Sequence, residues 1–360
     1  MKTSVDEVVQ DLAAQLGTFQ SRLILVFGSS QYDQTALADS LNKTFADIPI
    51  IGCSTAGEIV TGSMHKNSVV AMGLGEGVIE DLNIQVVESL TDTIGVEKAF
   101  KGFESYFHQD MGTMDISAYV GLILIDGLSG AEERVMDKIG DLTNVTFIGG
   151  SAGDDLKFKK THVYARGAAH TGAAVLVLLK PVKGFDVLKT QSFKCLDKTL
   201  TVTRANEANR EVLEFNNLPA VQAYAEATGA DMDHVDDYFM LNPLGLMAGD
   251  EPYVRSPQQI KGDHIVFYCS MLEGMELSLL ESEDIVAETK KALAAKVAHM
   301  GDVCAIINFH CILRTLELEK KGQTQAYGQI FTDIPTIGFS TYGEEYIGHI
   351  NQTSTILLLR

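Results

Sequence analysis

The sequence predicts an α/β protein with mixed, mostly parallel sheets, built from three strand-loop-helix-strand repeats and divided into two domains. The first observation is a short motif that occurs three times, at Pro49–Glu58, Thr146–Asp154 and Pro335–Glu344. Each copy is an apolar run, then Gly-x-Ser, then a small turn closed by Gly and a carboxylate. The second observation is that the segments before each copy also match. Three copies in matching surroundings indicate a repeated supersecondary unit.

Each motif is preceded by a short apolar run and then by a segment of helix length. The apolar runs are Leu23–Gly28, Gly121–Gly127 and Val303–His310, and the helical segments are Thr35–Ala46, Ala131–Ile139 and Ile312–Lys320. Strands joined by helical crossovers are typical of parallel sheets, and continuously apolar strands are typical of sheets covered on both faces.

The remaining segments place a domain boundary near residue 194. Val5–Leu16 has apolar residues at helical spacing and ends at Gly17, which predicts an amphipathic first helix. After residue 194 the repeat pattern stops, and Tyr238–Leu246 is one of several runs that predict antiparallel strands. We therefore predict an N-terminal domain at 1–194 with two repeats and a C-terminal domain at 195–360 with the third.

Composition excludes several classes of function. The 360 residues include 28 basic and 48 acidic side chains, for a formal net charge of -20, and no run of Lys and Arg offsets it. Nucleic acid is therefore not an expected partner. The N-terminus has no apolar signal core and no apolar run could span a bilayer, so we expect no membrane insertion. The five cysteines contain no Cys-x-x-Cys pair, which predicts reduced thiols and a cytoplasmic protein.

The motif itself is a candidate binding element. A strand-end loop of this composition offers backbone N–H groups, hydroxyls and a carboxylate, which together can hold a small polar ligand. The alternative is structural, with Gly forming the turn and the hydroxyls and carboxylate capping a helix. The candidate ligand-binding residues of the motifs are Cys53, Ser54, Thr55, Glu58, Ser151, Asp154, Ser340, Thr341, Tyr342 and Glu344.

Two arginines are candidates for binding an acid group. Arg314 follows an apolar strand and Arg255 lies on a predicted strand, and a guanidinium can pair with a carboxylate through two hydrogen bonds. The alternative for both is an internal ion pair, for example with Glu58 or Glu344. Carboxylates for an amine and Arg314 for an acid group predict a zwitterionic ligand such as an amino acid.

An enzymatic alternative rests on Ser151 or Cys53. Gly149–Gly153 matches the Gly-x-Ser-x-Gly nucleophile elbow of hydrolases, which requires a helix directly after the serine. The charged segment that follows has no helical apolar face, and local sequence supplies no basic partner for the Cys53 thiol. We therefore do not expect catalysis.

Several segments, in order along the chain, resemble the FIST family. Ile50–Ile59 and Gly149–Asp155 are similar to the N-terminal FIST domain. The segments similar to the C-terminal FIST domain are Phe267–Cys269, Cys311 with Arg314, Gly338–Glu344 and His349–Thr353. The resemblance covers nearly the whole chain and adds His349 and Asn351 to the candidate ligand-binding residues.

The resemblance implies a sensory protein that binds a small ligand, with amino acids among the suggestions. It also implies a separate signalling partner such as a histidine kinase. One branch of the family is similar to haem-binding nitric oxide sensors, so noncovalent haem b is an alternative cofactor. The candidate axial ligands would be His310, His349 and His162, each of which has a structural role as its alternative. The sequence has no His-x-x-x-His or Cys/His cluster, and we expect no other metal site.

Overall fold

The structure is a computed structural model that describes residues 4–249 and 251–360. Residues 1–3, with which the predicted N-terminal domain begins, and residue 250 lie outside the described residues.

Helices alternate with strands within the repeats, and runs of consecutive strands make up much of the rest of the chain. The α-helices are α1 (Val5–Leu16), α2 (Gln34–Thr44), α3 (Ile94–Phe107), α4 (Glu132–Leu142), α5 (Ala220–Thr228), α6 (Ile285–Met300), α7 (Ile312–Lys320) and α8 (Thr324–Gln329). Short 3-10 helices cover Glu207–Asn209 and Met232–Tyr238.

The strands of the first half are β1 (Ser21–Ser29), β2 (Ile50–Thr55), β3 (Glu58–Val60), β4 (Ser63–His65), β5 (Val69–Gly75), β6 (Ile79–Val87), β7 (Val120–Ile125), β8 (Phe147–Ser151), β9 (Val163–Ala165), β10 (Ala168–His170), β11 (Ala174–Pro181) and β12 (Phe185–Thr190). Those of the second half are β13 (Phe193–Asn206), β14 (Glu211–Phe215), β15 (Leu218–Pro219), β16 (Leu244–Ala248), β17 (Glu251–Arg255), β18 (Pro257–Lys261), β19 (His264–Phe267), β20 (Glu276–Ser282), β21 (Ala305–Cys311), β22 (Thr336–Thr341), β23 (Glu344–Tyr346), β24 (His349–Ile350) and β25 (Ser354–Leu359).

Local predictions hold best for helices with a strong apolar pattern. Helices α1 and α7 have the predicted bounds. The predicted strand at Tyr238–Leu246 is wrong, because strand β16 begins only at Leu244. The preceding residues form a turn in which the Asn242 N–H donates to the Tyr238 carbonyl at 2.7 Å, and Pro243 has no N–H for a sheet.

The chain divides into two compact units that are not contiguous in sequence. The first comprises the described residues up to Thr190, together with Lys290–His349 and Ser354–Arg360. The second comprises Gln191–Thr289 and Ile350–Thr353. All three motif repeats therefore belong to the first unit, and the third repeat shares a unit with the first two.

Each repeat of the first unit forms the centre of one mixed sheet. The strand orders are β10-β9-β2-β1-β5, β24-β23-β8-β7-β11-β6 and β12-β25-β21-β22-β3-β4. The two strands of each repeat are parallel, and a strand antiparallel to the first one lies beside it. The mixed α/β class is confirmed. The parallel pairs at the centres of the three sheets are β1–β2, β7–β8 and β21–β22.

A cyclic exchange of short strands joins the three sheets. Strand β3, which follows the first motif, pairs with β22 of the third repeat. Strand β23, which follows the third motif, pairs with β8 of the second. Strand β9, which follows the second motif, pairs with β2 of the first. Each repeat thus supplies a strand to another repeat, and the exchange closes on itself.

The exchange surrounds one apolar core. In β1, Leu23, Leu25 and Phe27 lie in a cluster shared by all three sheets, while the alternate residues Ile24 and Val26 pack against α1 and α2. This alternation is the period-2 geometry of a strand buried on both faces. It explains the continuously apolar runs in the sequence.

The second unit contains an antiparallel sheet and helix α5. Its strand order is β17-β16-β20-β13-β14-β19-β18, with β15 paired to β14. Helix α5 buries Val221 and Tyr224 against this sheet. Residues 195–206, next to the predicted boundary, belong to the long strand β13. None of the described helices combines the length and apolarity that a bilayer crossing needs.

Candidate functional site

The three motif serines lie at the point where the three sheets meet. The carbonyl of Ser54 accepts a hydrogen bond from Gly153 N–H at 2.9 Å, and that of Ser151 accepts one from Tyr342 N–H at 3.1 Å. The carbonyl of Ser340 accepts one from Ala56 N–H at 3.2 Å. Each serine is thus bonded to the turn of another motif, and the three bonds form a closed ring. The structure brings the three motifs together at one place.

The first glycine of each motif permits close approach of two strands. A Cβ at Gly52 would lie 1.8 Å from the Val26 carbonyl oxygen, and one at Gly149 would lie 1.7 Å from that of Ile123. At Gly338 the corresponding distance, to the Asn308 oxygen, is 2.1 Å. This first glycine of the motif therefore serves strand packing.

The carboxylates of the first and third motifs are enclosed. Glu58 Oε1 accepts a hydrogen bond from Thr55 Oγ1, and Glu344 Oε1 accepts one from Thr341 Oγ1, both at 2.5 Å. All four side chains are fully buried. In both motifs the threonine at the strand end holds the carboxylate three residues later, so the turn is closed from within.

Glu58 also accepts hydrogen bonds from Ser68, through its N–H at 3.1 Å and its Oγ at 2.6 Å. Burial raises the pKa of Glu58 to about 7, although the bonds from Ser68 and Thr55 oppose that shift. This carboxyl therefore exchanges its proton near neutral pH while remaining shut off from solvent.

The second motif differs, because its carboxylate bonds to the loop that follows it. Asp154 accepts hydrogen bonds from the N–H groups of Phe158, Lys159 and Lys160 at 2.9, 2.6 and 3.0 Å. Tyr342 of the third motif donates its hydroxyl to the same carboxylate at 2.5 Å. Burial alone would raise the pKa of Asp154, but these hydrogen bonds outweigh burial and lower it. Asp154 is therefore ionised across the physiological range.

We call residues 154–160 the lysine loop. Its backbone is strained, since Asp155, Leu156 and Phe158 have φ of 56°, 61° and 50°, in the left-handed region that such residues seldom adopt. Tyr342 supports the loop from outside, because its hydroxyl accepts from Leu156 N–H at 2.8 Å and its ring stacks on Phe158 at 5.1 Å. The second and third motifs together hold this loop in place.

Ser151 belongs to a second polar cluster. Its Oγ donates to Glu345 Oε1 at 3.2 Å and lies 3.4 Å from Glu132 Oε1, and Glu345 is also bonded to His349 Nδ1 at 3.1 Å. Burial alone would lower the pKa of His349, but Glu345 raises it to about 9. Strand β8 ends at Ser151 without a helix directly after it, so the geometry does not match a nucleophile elbow.

Cys53 has no features of a nucleophile. Its side chain is fully buried in the core shared by the three sheets. Burial holds the pKa of its thiol well above the usual range. A thiolate nucleophile requires the opposite shift.

The histidines proposed as haem ligands do not fit such a group. A haem site needs an open, largely apolar cleft beside the ligand. The ring of His310 is buried, and its centroid lies 4.4 Å from that of the Tyr327 ring. His349 is enclosed between Glu345 and Gly343. His162 lines a cavity whose walls are charged. Within the described residues, no cluster of His, Cys, Asp or Glu could hold a metal ion.

The remaining candidates are Arg314, Ser340, Arg255 and Asn351. Arg314 lies buried at the start of α7, and its charge helps burial to hold the pKa of His310 well below the usual range. Ser340 Oγ is 2.7 Å from Thr315 Oγ1 of the same helix. Arg255 and Asn351 belong to the second unit.

A cavity of about 310 Å³ opens beside the lysine loop at the carboxyl end of β1. Its walls include the first residues of α2, the lysine loop and the residue before β9. The lining residues are Ser30, Tyr32, Asp33, Gln34, Thr35, Asp154, Lys157, Lys159, Lys160 and His162. Two predicted residues, Asp154 and His162, lie here. In parallel α/β units, ligands bind at this end of the strands.

The lysines of this cavity are not among the residues predicted from the sequence. Lys157, Lys159 and Lys160 occur within four positions directly after the second motif, in a chain with a net charge of -20. This group is too short to stand out as a basic run in the sequence. The fold of the loop nevertheless places all three lysines at one cavity. The signal that could have found it is the second motif itself, which is one residue shorter than the others and has Ala152 where they have threonine.

Comparisons with known proteins agree with this architecture. A family model described as the FIST N domain matches residues 22–218, and one described as the FIST C domain matches residues 220–346. The uncharacterized protein MJ1623 of Methanocaldococcus jannaschii is 24% identical over 295 residues, which cover 75% of this chain and 57% of that protein. This chain thus matches little more than half the length of that relative. The two family models together span most of the sequence, and the chain belongs to the FIST family, which is associated with sensing in signal transduction.

Proposed function

We propose that this protein is a small-ligand sensor that reports to a separate signalling protein such as a histidine kinase in the cytoplasm. Membership of the FIST family supports the sensory role. The observation that carries the proposal is the cavity of about 310 Å³ at the carboxyl end of β1, beside the lysine loop. Its volume lies at the small end of the range for small-molecule sites.

The ligand is a compact molecule with an acid group and an amine, such as an amino acid. The cavity offers ammonium groups on the lysine loop and the carboxylates of Asp33 and Asp154, so both signs of charge are available. Among the sequence-predicted residues, Asp154 of the second motif and His162 line this cavity. The enclosed side chains of the first and third motifs act by fixing the loops.

A thermal-shift screen of metabolites on the full chain tests this function. Compounds with both an amine and a carboxylate are expected to raise the melting temperature, since a ligand that binds only the folded state stabilises it. Arg314→Met tests the sequence-based prediction that Arg314 binds the acid group of the ligand. If the ligand raises the melting temperature of this variant as much as that of the parent protein, Arg314 does not contact the ligand. Hits limited to haem or to apolar molecules would overturn the proposal.

Two further measurements address the partner and haem. Addition of ligand-loaded protein is expected to change the autophosphorylation rate of a partner kinase, and identical rates with and without ligand would contradict the signalling role.

Protein expressed with ample haem is expected to show no Soret band. Such a band would favour the nitric oxide sensor in place of the amino acid sensor.

A further inference from the structure

The cavity beside the lysine loop concentrates positive charge in an acidic protein. Three lysines line it against two aspartates, although the chain as a whole carries a net charge of -20. Lys157 reaches Asp155 at 3.8 Å and donates to Ser30 Oγ at 2.8 Å. Within the described part of the chain, Lys159 and Lys160 take part in no ion pair, so their charges are available to a ligand.

The two aspartates of the wall are already engaged by the protein. Asp33 caps α2 by accepting from Ala36 N–H at 2.9 Å. Asp154 accepts three backbone N–H groups of its own loop and the Tyr342 hydroxyl. Asp154 therefore has most of its acceptor sites filled, whereas Asp33 keeps acceptor sites that the amine of a ligand can use. The three lysines still outnumber the two aspartates in the cavity wall.

The amino end of α2 adds to this positive character. Gln34 and Thr35, the first residues of this 11-residue helix, line the cavity. The helix dipole places partial positive charge at that end, and the first-turn N–H groups other than that of Ala36, which Asp33 caps, have no partner inside the helix. An anion at this position is therefore stabilised by the helix as well as by the lysines.

His162 supplies a second, independent indication of a ligand. It lines the cavity although only 8% of its surface is exposed, and its Nδ1 has no hydrogen-bond partner among the described residues. Leaving a buried polar atom without a hydrogen-bond partner is unfavourable. Burial and Lys160 lower the pKa of His162, so the ring is neutral near pH 7 and its Nδ1 can donate or accept one hydrogen bond.

We propose that this cavity contains an anion subsite, formed by Lys159, Lys160, His162 and the amino end of α2, that binds the carboxylate or phosphate of a small molecule. The proposal rests on the proposed function, because it assigns the acid-binding half of the same site. It moves that half from Arg314, in the third repeat, to the lysine loop and the first repeat.

The test is a titration of the full chain with inorganic phosphate and, separately, with acetate. Ionic strength is held constant with chloride, and the imidazole resonances of His162 are followed by NMR. The subsite predicts saturable shifts at His162 with at least one anion, and the two arms tell a phosphate site from a carboxylate site. If the His162 chemical shifts change linearly with both anions and do not saturate, the binding is that of an adventitious ion only, and the proposal is overturned.

Matched variants separate a built subsite from general electrostatics. Lys159→Gln with Lys160→Gln is expected to weaken binding at least ~10-fold, because each removes a charge-assisted contact. The control is Lys98→Gln with Lys101→Gln, which removes the same charge from exposed positions on α3 and is expected to bind as the parent does. Equal weakening in both pairs would contradict the subsite. His162→Gln is expected to weaken binding without altering the fold of the lysine loop.

The outcomes also distinguish this inference from the proposed function. If amino acids shift the melting temperature equally in the parent and in the Lys159→Gln/Lys160→Gln protein, the subsite is wrong and the sensor remains. If phosphate or acetate saturates the subsite as predicted but no amine-bearing acid stabilises the protein, the subsite stands and the proposed ligand class is wrong.

Discussion

The first and third motifs differ from the second in what their carboxylates hold. In the first and third, the threonine at the strand end bonds the glutamate three residues later, and both side chains are sealed inside the protein. In the second, Ala152 replaces the threonine and one residue is missing, so Asp154 bonds to the lysine loop instead. The same motif thus closes a turn in two repeats and organises a cavity wall in the other.

Under the proposed function, this difference separates a structural role from a binding role within one repeated unit. The first and third motifs stabilise the turns that lead into the exchanged strands β3 and β23. In the second motif, the carboxylate of Asp154 accepts hydrogen bonds from the strained lysine loop, which carries three lysines. Backbone strain of this kind persists where surrounding contacts fix it, and it is concentrated at functional sites.

The largest expected effect concerns the feature that all three repeats share. Gly52→Ala, Gly149→Ala and Gly338→Ala should each destabilise the protein by more than ~3 kcal/mol, because the new Cβ would overlap a carbonyl of the neighbouring strand. Chemical denaturation measures the loss, and failure to fold counts as agreement. The control is Gly140→Ala in α4, where a Cβ meets open space and is expected to stabilise the helix. A tolerated alanine at Gly149 alone would break the equivalence of the repeats.

The second prediction concerns pH and the closed first motif. The folded protein raises the pKa of Glu58 from 4.5 to about 7, so it binds a proton there that the unfolded chain releases. The resulting stability is complete below pH 4.5 and is lost as pH rises through 7, by ~3 kcal/mol in total. Glu58→Gln should remove this decline in the free energy of unfolding. Glu76→Gln, at an exposed position, should leave it unchanged. Parallel curves for the parent and Glu58→Gln would contradict the assignment.

The third prediction concerns the open second motif, and its pH dependence has the opposite sign. Asp154→Asn should cost about 2 kcal/mol at neutral pH, since a charged acceptor of four hydrogen bonds is lost. The pKa of Asp154 is lowered on folding, so its contribution is present above 3.8 and is lost as pH falls through the folded value. The gap between parent and variant should therefore narrow in acid. A gap that widened would mean that Asp154 is held protonated.

The smallest effect tests how the third motif supports the lysine loop. Tyr342→Phe removes the hydroxyl that bonds Asp154 and Leu156 but keeps the ring that stacks on Phe158. We expect a loss of about 1 kcal/mol and faster amide hydrogen exchange at Lys159 and Lys160. Unchanged exchange at those amides would show that Asp154 holds the loop without help from Tyr342.

The sequence was sufficient to predict what depends on local pattern. The triplicated Gly-x-Ser motif identified the repeats, and apolar periodicity located α1 and α7 to the residue. The pairing of β3 with β22 could not be predicted in this way. A strand of three residues, such as β3, has too little sequence pattern to indicate a partner strand so distant in the chain. Left-handed Leu156 and Phe158 were equally hidden, since neither residue type favours that conformation. The lysine cavity depends on both features.

The most direct test of the account compares the three motif carboxylates under one ligand. The best hit of the metabolite screen is added to Glu58→Gln, Glu344→Gln and Asp154→Asn, and the ligand-induced rise in melting temperature is measured for each. The account predicts that the first two variants keep the rise and that Asp154→Asn loses most of it, because only the second motif borders the cavity. A full rise in Asp154→Asn, together with its loss in Glu58→Gln or Glu344→Gln, would contradict the account and place the ligand at the enclosed motifs.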